Sequence, residues 1–276
     1  MAQTGARTGS DPDVVSALLA EVAAVEIMPR FRHLSAEDIR LKGPGDVVTV
    51  ADEAAERYLT RRLTDLLPGS TVLGEEGAAA DPTLMSRLSG DAPVWIIDPI
   101  DGTQNFTQGK PVFAVMVALV RSGRTVAGWI HDPIGDRTAV AEIGAGAWMG
   151  GERLRVAAPA PLAESTGALK NRFFEPDLAR RIESAMGIVA EPFDLYCAGH
   201  EYLRLVTGTA HLACYRRLMP WDHAPGVLIH GEAGGFSARF DGSPYDPTVT
   251  GGGLLLAPDR GSWRDLHNIL FGTAAG

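Results

Sequence analysis

Two carboxylates three residues apart, Asp98 and Asp101, follow directly on the apolar run Val94-Trp95-Ile96-Ile97. Four apolar residues in succession suit a buried central strand. Pro99 cannot extend its hydrogen-bond ladder, which predicts that the chain leaves the sheet there with both acids at the rim. Gly102 lets the backbone approach a ligand closely, and the Thr103 hydroxyl can hold a water. Acids placed in this way suit a hard cation, and oxygen-only donors favour Mg²⁺ or Mn²⁺ over zinc. The competing explanation is a tight turn, because Asp-Gly and Asp-Pro are both common turn pairs.

Further segments weigh toward chemistry. Leu73-Gly74-Glu75-Glu76-Gly77 ends another short apolar run in acids, and Met219-Pro220-Trp221-Asp222-His223 sets an acid where a long apolar helix begins. Upstream, Lys42 is followed by Asp46-Val47-Val48-Thr49-Val50-Ala51-Asp52, and downstream comes Gly231-Glu232-Ala233-Gly234-Gly235. In this order and spelling the segments resemble the inositol monophosphatase family, within the lithium-sensitive, magnesium-dependent phosphatases. Any one string can arise by chance; the ordered set, spread over most of the chain, is specific.

The resemblance implies a layered αβαβα sandwich of the inositol monophosphatase and fructose-1,6-bisphosphatase type, in the α+β / α/β class. Glu75, Asp98, Asp101 and Asp222 would bind Mg²⁺, or Mn²⁺, through their side chains and Ile100 through its carbonyl, with Asp101 bridging more than one ion. Thr103 would orient the attacking water with Glu75 as base, Asp52 would support Thr103, and Lys42 and Asp46 would lie close by. The amides of Gly102 and Thr103 would seat the phosphate, as amide-rich turns do for anions. A coordinated cation lowers the pKa of water and stabilises the leaving oxygen, so in-line attack needs no phosphoenzyme. Glu76 is set aside in favour of Glu75, since neighbours on an extended segment face opposite ways.

Repulsion supplies the physical case for cations. If the carboxylates converge, each close pair costs about 1 kcal/mol in water and about 4 kcal/mol at an effective dielectric of 20, for unit charges about 4 Å apart. Cations must offset that cost, or some of the acids must take up a proton. Helix capping alone would account equally well for Asp52 or Asp222 taken singly.

Substrate choice is less legible. The family's inositol-phosphate enzymes carry an acid seven residues before the last metal aspartate, where this chain has Tyr215, and a Gly-[Thr/Ser]-Ala-Ala segment where it has Ala198-Gly199-His200-Glu201. Gly199, His200, Glu201, Tyr215 and Arg216 are therefore the candidate substrate contacts. Glu201 either replaces the missing acid or binds an amine; Arg216 and Arg217 either reach a second phosphate or are solvated. Inositol 1-phosphate is the first substrate implied, with histidinol phosphate or 3′-phosphoadenosine 5′-phosphate as alternatives on the same chemistry. A non-catalytic cation-binding or regulatory protein on the same fold is the alternative from another class.

The elements that must position these residues mix helices and strands. Apolar spacing predicts helices over Asp11 to Phe31, Asp52 to Leu67, Glu175 to Met186, Gly199 to Thr207 and Asp222 to Gly231. A closing helix capped by Ser262 would bury Trp263, Leu266, Ile269 and Leu270. Strands over Val112 to Val120, Thr125 to His131 and Thr138 to Ile143 suggest an antiparallel meander, followed by a hairpin turn at Met149 to Glu152. Gly144-Ala145-Gly146 lacks the spacing of a nucleotide loop and is read as a turn. The change of texture after Val156 divides the chain into a flexible tail over 1–10, an N-terminal α+β lobe over 11–156 and a C-terminal α/β lobe over 157–276.

At 276 residues and a net charge of −9 the chain is long enough for a large core and too acidic for a general nucleic-acid-binding surface. The partner expected is a small phosphorylated metabolite. Cys197 and Cys214 show no paired spacing and read as small buried apolar residues. No signal-peptide core or run of about 18 apolar residues occurs, so no membrane partner is expected and a cytoplasmic setting is the default. The family resemblance also implies a homodimer.

Overall fold

The computed structural model describes residues 11–43, 46–172 and 174–272; the expected tail over 1–10 lies outside the described residues. Helix α1 (Pro12–Val22) opens with the Asp11 side chain accepting the Asp13 amide, then widens into a π-helical turn at Ala23–Ile27. That turn ends the regular helix well short of Phe31. A hairpin of β1 (Ile39–Gly43) and β2 (Asp46–Thr49) leads into α2 (Val50–Leu66). Thr49 and Asp52 start α2 with a reciprocal cap, each side chain accepting the other's backbone amide.

Next come β3 (Thr71–Gly74), the short α3 (Glu75–Ala80), β4 (Val94–Asp101) and the short α4 (Thr103–Thr107). The expected meander follows as β5 (Ala114–Arg121), β6 (Arg124–Asp132), β7 (Arg137–Glu142), β8 (Gly146–Met149) and β9 (Glu152–Arg153). Together β3 to β9 form a sheet in sequence order, parallel at β3/β4 and antiparallel thereafter.

The rest of the chain gives β10 (Thr166–Ala168), α5 (Pro176–Met186), β11 (Glu191–Phe193), α6 (Ala198–Val206), β12 (Leu212–Tyr215), α7 (Pro220–Glu232), β13 (Phe236–Arg239), β14 (Leu254–Ala257) and α8 (Arg260–Phe271). A second, mixed sheet has the order β11-β10-β12-β14-β13. The expected Ser262 cap is not what starts α8. Asp259 caps the helix by accepting the Ser262 amide, which places Ser262 inside the first turn, where it is buried. Asp is among the preferred capping residues, and its ionised oxygen is a strong acceptor for a first-turn amide.

Burial sorts these elements into layers. Leu19 of α1 and Leu59 of α2 pack on Trp95, Val117 and Trp129 of the first sheet. Its other face, through Ile96, Met116 and Ile130, meets Trp221 and Ile229 of α7 and Tyr202 of α6. Those two helices also cover Ala213 and Leu256 of the second sheet, whose far face buries Leu255 against Ile182 of α5 and Leu266 of α8. Helices, sheet, helices, sheet, helices is the αβαβα order expected. No helix among the described residues is long and apolar enough to cross a membrane.

One expectation about the sheet is corrected. Strand β4 does not leave at Pro99 but continues to Asp101, with a register shift between Asp98 and Asp101. Pairing with β3 ends at Ile97, so beyond that point β5 is the only partner of β4 among the described residues. A proline at a bulge, with one side free of a ladder, forfeits no sheet hydrogen bond.

Candidate active site

The bulge decides where the two aspartates point. In a regular strand residues three apart face opposite sides; one extra residue restores them to the same side. Asp98 pairs with Met116 and Asp101 with Ala114, two residues of the same sheet face, and both acids line one cavity of about 310 Å³. The chain then turns at Gly102 with φ 87°, and a Cβ there would fall 3.0 Å from the Val112 carbonyl oxygen and 3.1 Å from the Cys197 Cβ. Only glycine fits. Thr103 begins α4 with Oγ1 2.9 Å from the Ile100 carbonyl oxygen and 3.2 Å from Asp52 Oδ1.

Glu75 reaches the same cavity from the start of α3. Because that segment is helical rather than extended, Glu76 does not face away. Lys42 Nζ donates to Glu75 Oε1 at 2.7 Å and to Glu76 Oε1 at 2.9 Å, with Asp46 Oδ1 3.9 Å off. Burial works against the charge on Lys42, but Glu75 and Glu76 outweigh it and hold the amine protonated. Glu56, which no motif marks, accepts the Glu76 and Gly77 amides at 2.8 Å each and so fixes the first turn of α3.

Asp222 enters from the first turn of α7. It is not the cap: Met219 occupies that position, and no side chain caps the helix there. For Asp52 the structural and functional explanations coincide. Buried within α2, it completes the cap with Thr49 through Oδ2 while Oδ1 faces Thr103, and burial pushes its pKa up to about 7.

Burial, then the charges of Glu75, Asp101 and Asp222, push the Asp98 carboxyl far above the usual carboxylate range. Asp222 is raised by burial and by Glu75 and Asp101, with Arg217 and Lys170 acting against the rise. Asp98 Oδ1 is buried and has no hydrogen-bond donor among the described residues. A buried acceptor left without a donor is expensive, and a hard cation satisfies it where no amide does. Among the described residues no three His, Cys, Asp or Glu side chains are already gathered as a set that could hold an ion. Two acids are engaged by protein partners: Glu75 by Lys42, and Asp101 Oδ2 by the Gly199 amide at 2.5 Å and Cys197 Sγ at 2.9 Å. The all-oxygen, anionic donors and the orphaned Asp98 oxygen fit a hard divalent cation that displaces such contacts.

Ile100, Gly102, Thr103, Asp46, Tyr215 and Arg216 also line the cavity. Gly199, His200 and Glu201 do not. Gly199 lets α6 approach β5, where a Cβ would fall 2.7 Å from the Ala114 Cβ. His200 Nε2 lies 3.0 Å from the Phe113 carbonyl oxygen, and Glu201 is fully buried against Lys170. Both cysteines are buried and free, as expected. Lys170 and Arg172, which sequence reasoning missed, are part of the lining. Four other hollows, of about 590, 540, 490 and 370 Å³, lie elsewhere on the surface, and none of Glu75, Asp98, Asp101 or Asp222 reaches any of them.

A sequence model described as the inositol monophosphatase family matches residues 13–270. An inositol-1-monophosphatase of Mesorhizobium japonicum is 35% identical over 216 residues, covering 77% of this chain and 79% of its own length. A Nus factor SuhB of Vibrio cholerae is 33% identical over 242 residues, covering 83% and 84%. Among solved structures, an IMPase of Thermotoga maritima superimposes with a TM-score of 0.79 at 29% identity, covering 94% of this chain and 95% of its own.

Proposed function

The chain belongs to the inositol monophosphatase family, a family of phosphate-monoester hydrolases, and from that premise we propose that it hydrolyses a small phosphate monoester with a divalent cation, Mg²⁺ first. The observation that carries the reading is that Glu75, Asp98, Asp101 and Asp222, from separate stretches of chain, line one cavity in which an Asp98 oxygen has no donor among the described residues. These four side chains and the Ile100 carbonyl would hold the cation. When bound, it supplies Lewis-acid chemistry, lowering the pKa of water and offsetting charge on the leaving oxygen.

The protein's own groups handle position and protons. Thr103 Oγ1, with its proton turned to Asp52, offers a lone pair to the attacking water and fixes its direction. Glu75, hydrogen-bonded by Lys42, is the acceptor for the proton that water gives up. The Gly102 and Thr103 amides face the phosphate. Inositol 1-phosphate is the ester expected to be turned over, supported by the name of the Mesorhizobium relative. A homodimer and a cytoplasmic setting belong to the same reading, and sedimentation giving a monomer would remove the first.

Phosphate release from inositol 1-phosphate, histidinol phosphate and 3′-phosphoadenosine 5′-phosphate, with Mg²⁺ and after chelation, tests the reading. Cation-dependent release is expected. No release from any ester with Mg²⁺ or Mn²⁺ would overturn it in favour of a non-catalytic role.

A further inference from the structure

The cavity that gathers the acids is not lined by negative charge alone. Apart from Asp222, every charged side chain that the described residues beyond Val156 contribute to its lining is a cation: Lys170, Arg172, Arg216 and Arg217. Lys170 and Arg217 are close enough to Asp222 to act on its carboxyl. The acids that pair with Lys170 and Arg172 do not line the cavity. Lys170 Nζ lies 3.3 and 3.2 Å from the two oxygens of Glu201, which is fully buried. Arg172 Nη2 donates to Asp194 Oδ2 at 2.7 Å, and Asp194 Oδ1 is 3.8 Å from Lys170 Nζ.

Aromatic faces complete the support, Lys170 Nζ standing 5.1 Å from the centroid of the Tyr215 ring and Arg172 3.7 Å from that of Tyr196. The carboxylates and rings thus hold two cationic heads in fixed places while Glu201 and Asp194 stay out of the lining. Such a preorganised pair spends little entropy on binding, and charge-assisted bonds to an anion are roughly twice as strong as bonds to a neutral hydroxyl. Glu201 is therefore unavailable to a polyol hydroxyl or an amine.

We propose that the phosphate ester this site prefers carries a second anionic group, a phosphate or a carboxylate, on its alcohol portion, bound by Lys170 and Arg172 with Arg216 alongside. The proposal rests on the phosphomonoesterase reading and adds the class of substrate.

The test compares kcat/KM of the Mg²⁺-loaded full chain on matched esters: glucose 1-phosphate against glucose 1,6-bisphosphate, and glycerol 2-phosphate against 2-phosphoglycerate. The member with the second anion should be favoured by about tenfold or more in at least one pair, the size of a single charge-assisted hydrogen bond. Preference in the first pair assigns the second group as phosphate, in the other as carboxylate. Arg172→Gln should lower that selectivity ratio by about tenfold, mainly through KM. Because Lys170→Met alone strands a buried Glu201 and can unfold the chain, it is paired with Glu201→Gln, and the double variant should lose selectivity in the same way. Equal rates within both pairs overturn the proposal while leaving the phosphomonoesterase reading intact. So does a loss in the variants that both members share, which would mark Lys170 and Arg172 as structural or as holders of the transferred phosphate. No turnover of any ester overturns both readings together.

Discussion

Asp98 and Lys170 line the same cavity, yet the fold treats their charges in opposite ways. Asp98 is buried among other acids, with one oxygen that no donor among the described residues reaches and a proton affinity raised by burial and by its neighbours. Lys170 is matched within hydrogen-bond reach by Glu201, which keeps it charged despite burial. Unmatched charge costs stability unless something from outside completes it, and that is where a ligand's own charge belongs. Matched charge is already satisfied, so a ligand meeting it adds to the pairing rather than completing it. The first arrangement suits chemistry and the second suits selection.

The largest effect expected comes from removing a charge where charge is unmatched. Asp98→Asn should cut phosphate release by about 10³-fold or more, since the acids act as a unit. It should also raise the cation-free melting temperature, because a repelling carboxylate is gone, and shrink the stabilisation that added Mg²⁺ gives. A cation-free variant that unfolds would show that Asp98 is structural and would break the comparison at its first term.

Thr103→Ala comes next. Loss of a positioning hydroxyl should lower turnover by about 10²-fold, the scale of a displaced reacting group. Cation affinity, read from the Mg²⁺ dependence of the rate, should move far less, since Thr103 belongs to the water rather than to the acids. A matching loss of affinity would assign it to the cation instead.

Removing a charge where charge is matched should act with the other sign on stability. Glu201→Gln leaves Lys170 with Asp194 at 3.8 Å as its remaining acid. A broken buried pair costs about 3–5 kcal/mol, and the partial exposure of Lys170 lowers the expectation to about 2 kcal/mol. Denaturant midpoints measure it. An unchanged midpoint would mean the pair is not a stabilising one and that the contrast with Asp98 is empty.

The two arrangements also differ in how plainly the sequence declares them. Each acid of the first set adjoins a change of local texture: Asp98 and Asp101 end an apolar strand, Glu75 ends another, and Asp222 opens an apolar helix. The layered fold is legible for the same reason, because strand and helix periodicities are local; the meander was expected to start at Val112 and starts at Ala114. Lys170 and Arg172 carry no such mark. Their partners Glu201 and Asp194 lie 31 and 22 residues onward, and nothing local distinguishes them from solvated charges. Pro99 misled because the rule against proline in a ladder depends on whether β3 extends that far, a tertiary fact. Ser262 misled because Asp259 starts the helix three residues earlier by accepting the Ser262 amide, which puts Ser262 inside the first turn.

Glu56 joins the two lessons, being a matched charge that serves the unmatched ones. It sits within α2, where it reads as one more helix acid, yet its oxygens accept the Glu76 and Gly77 amides and thereby hold the first turn of α3 that carries Glu75. A glutamine there keeps one acceptor and turns an NH₂ toward the other amide. Glu56→Gln should therefore cost about 1 kcal/mol of stability, the worth of one hydrogen bond, rather than the loss seen on breaking a buried ion pair. Turnover should fall less than in Thr103→Ala, because Glu75 keeps Lys42 as its partner while its backbone anchor loosens. Denaturant midpoint and rate at saturating Mg²⁺ measure the two. A rate loss as deep as that of Asp98→Asn would place Glu56 among the acids that meet the cation, and the boundary between matched and unmatched charge would have to be redrawn to include α2.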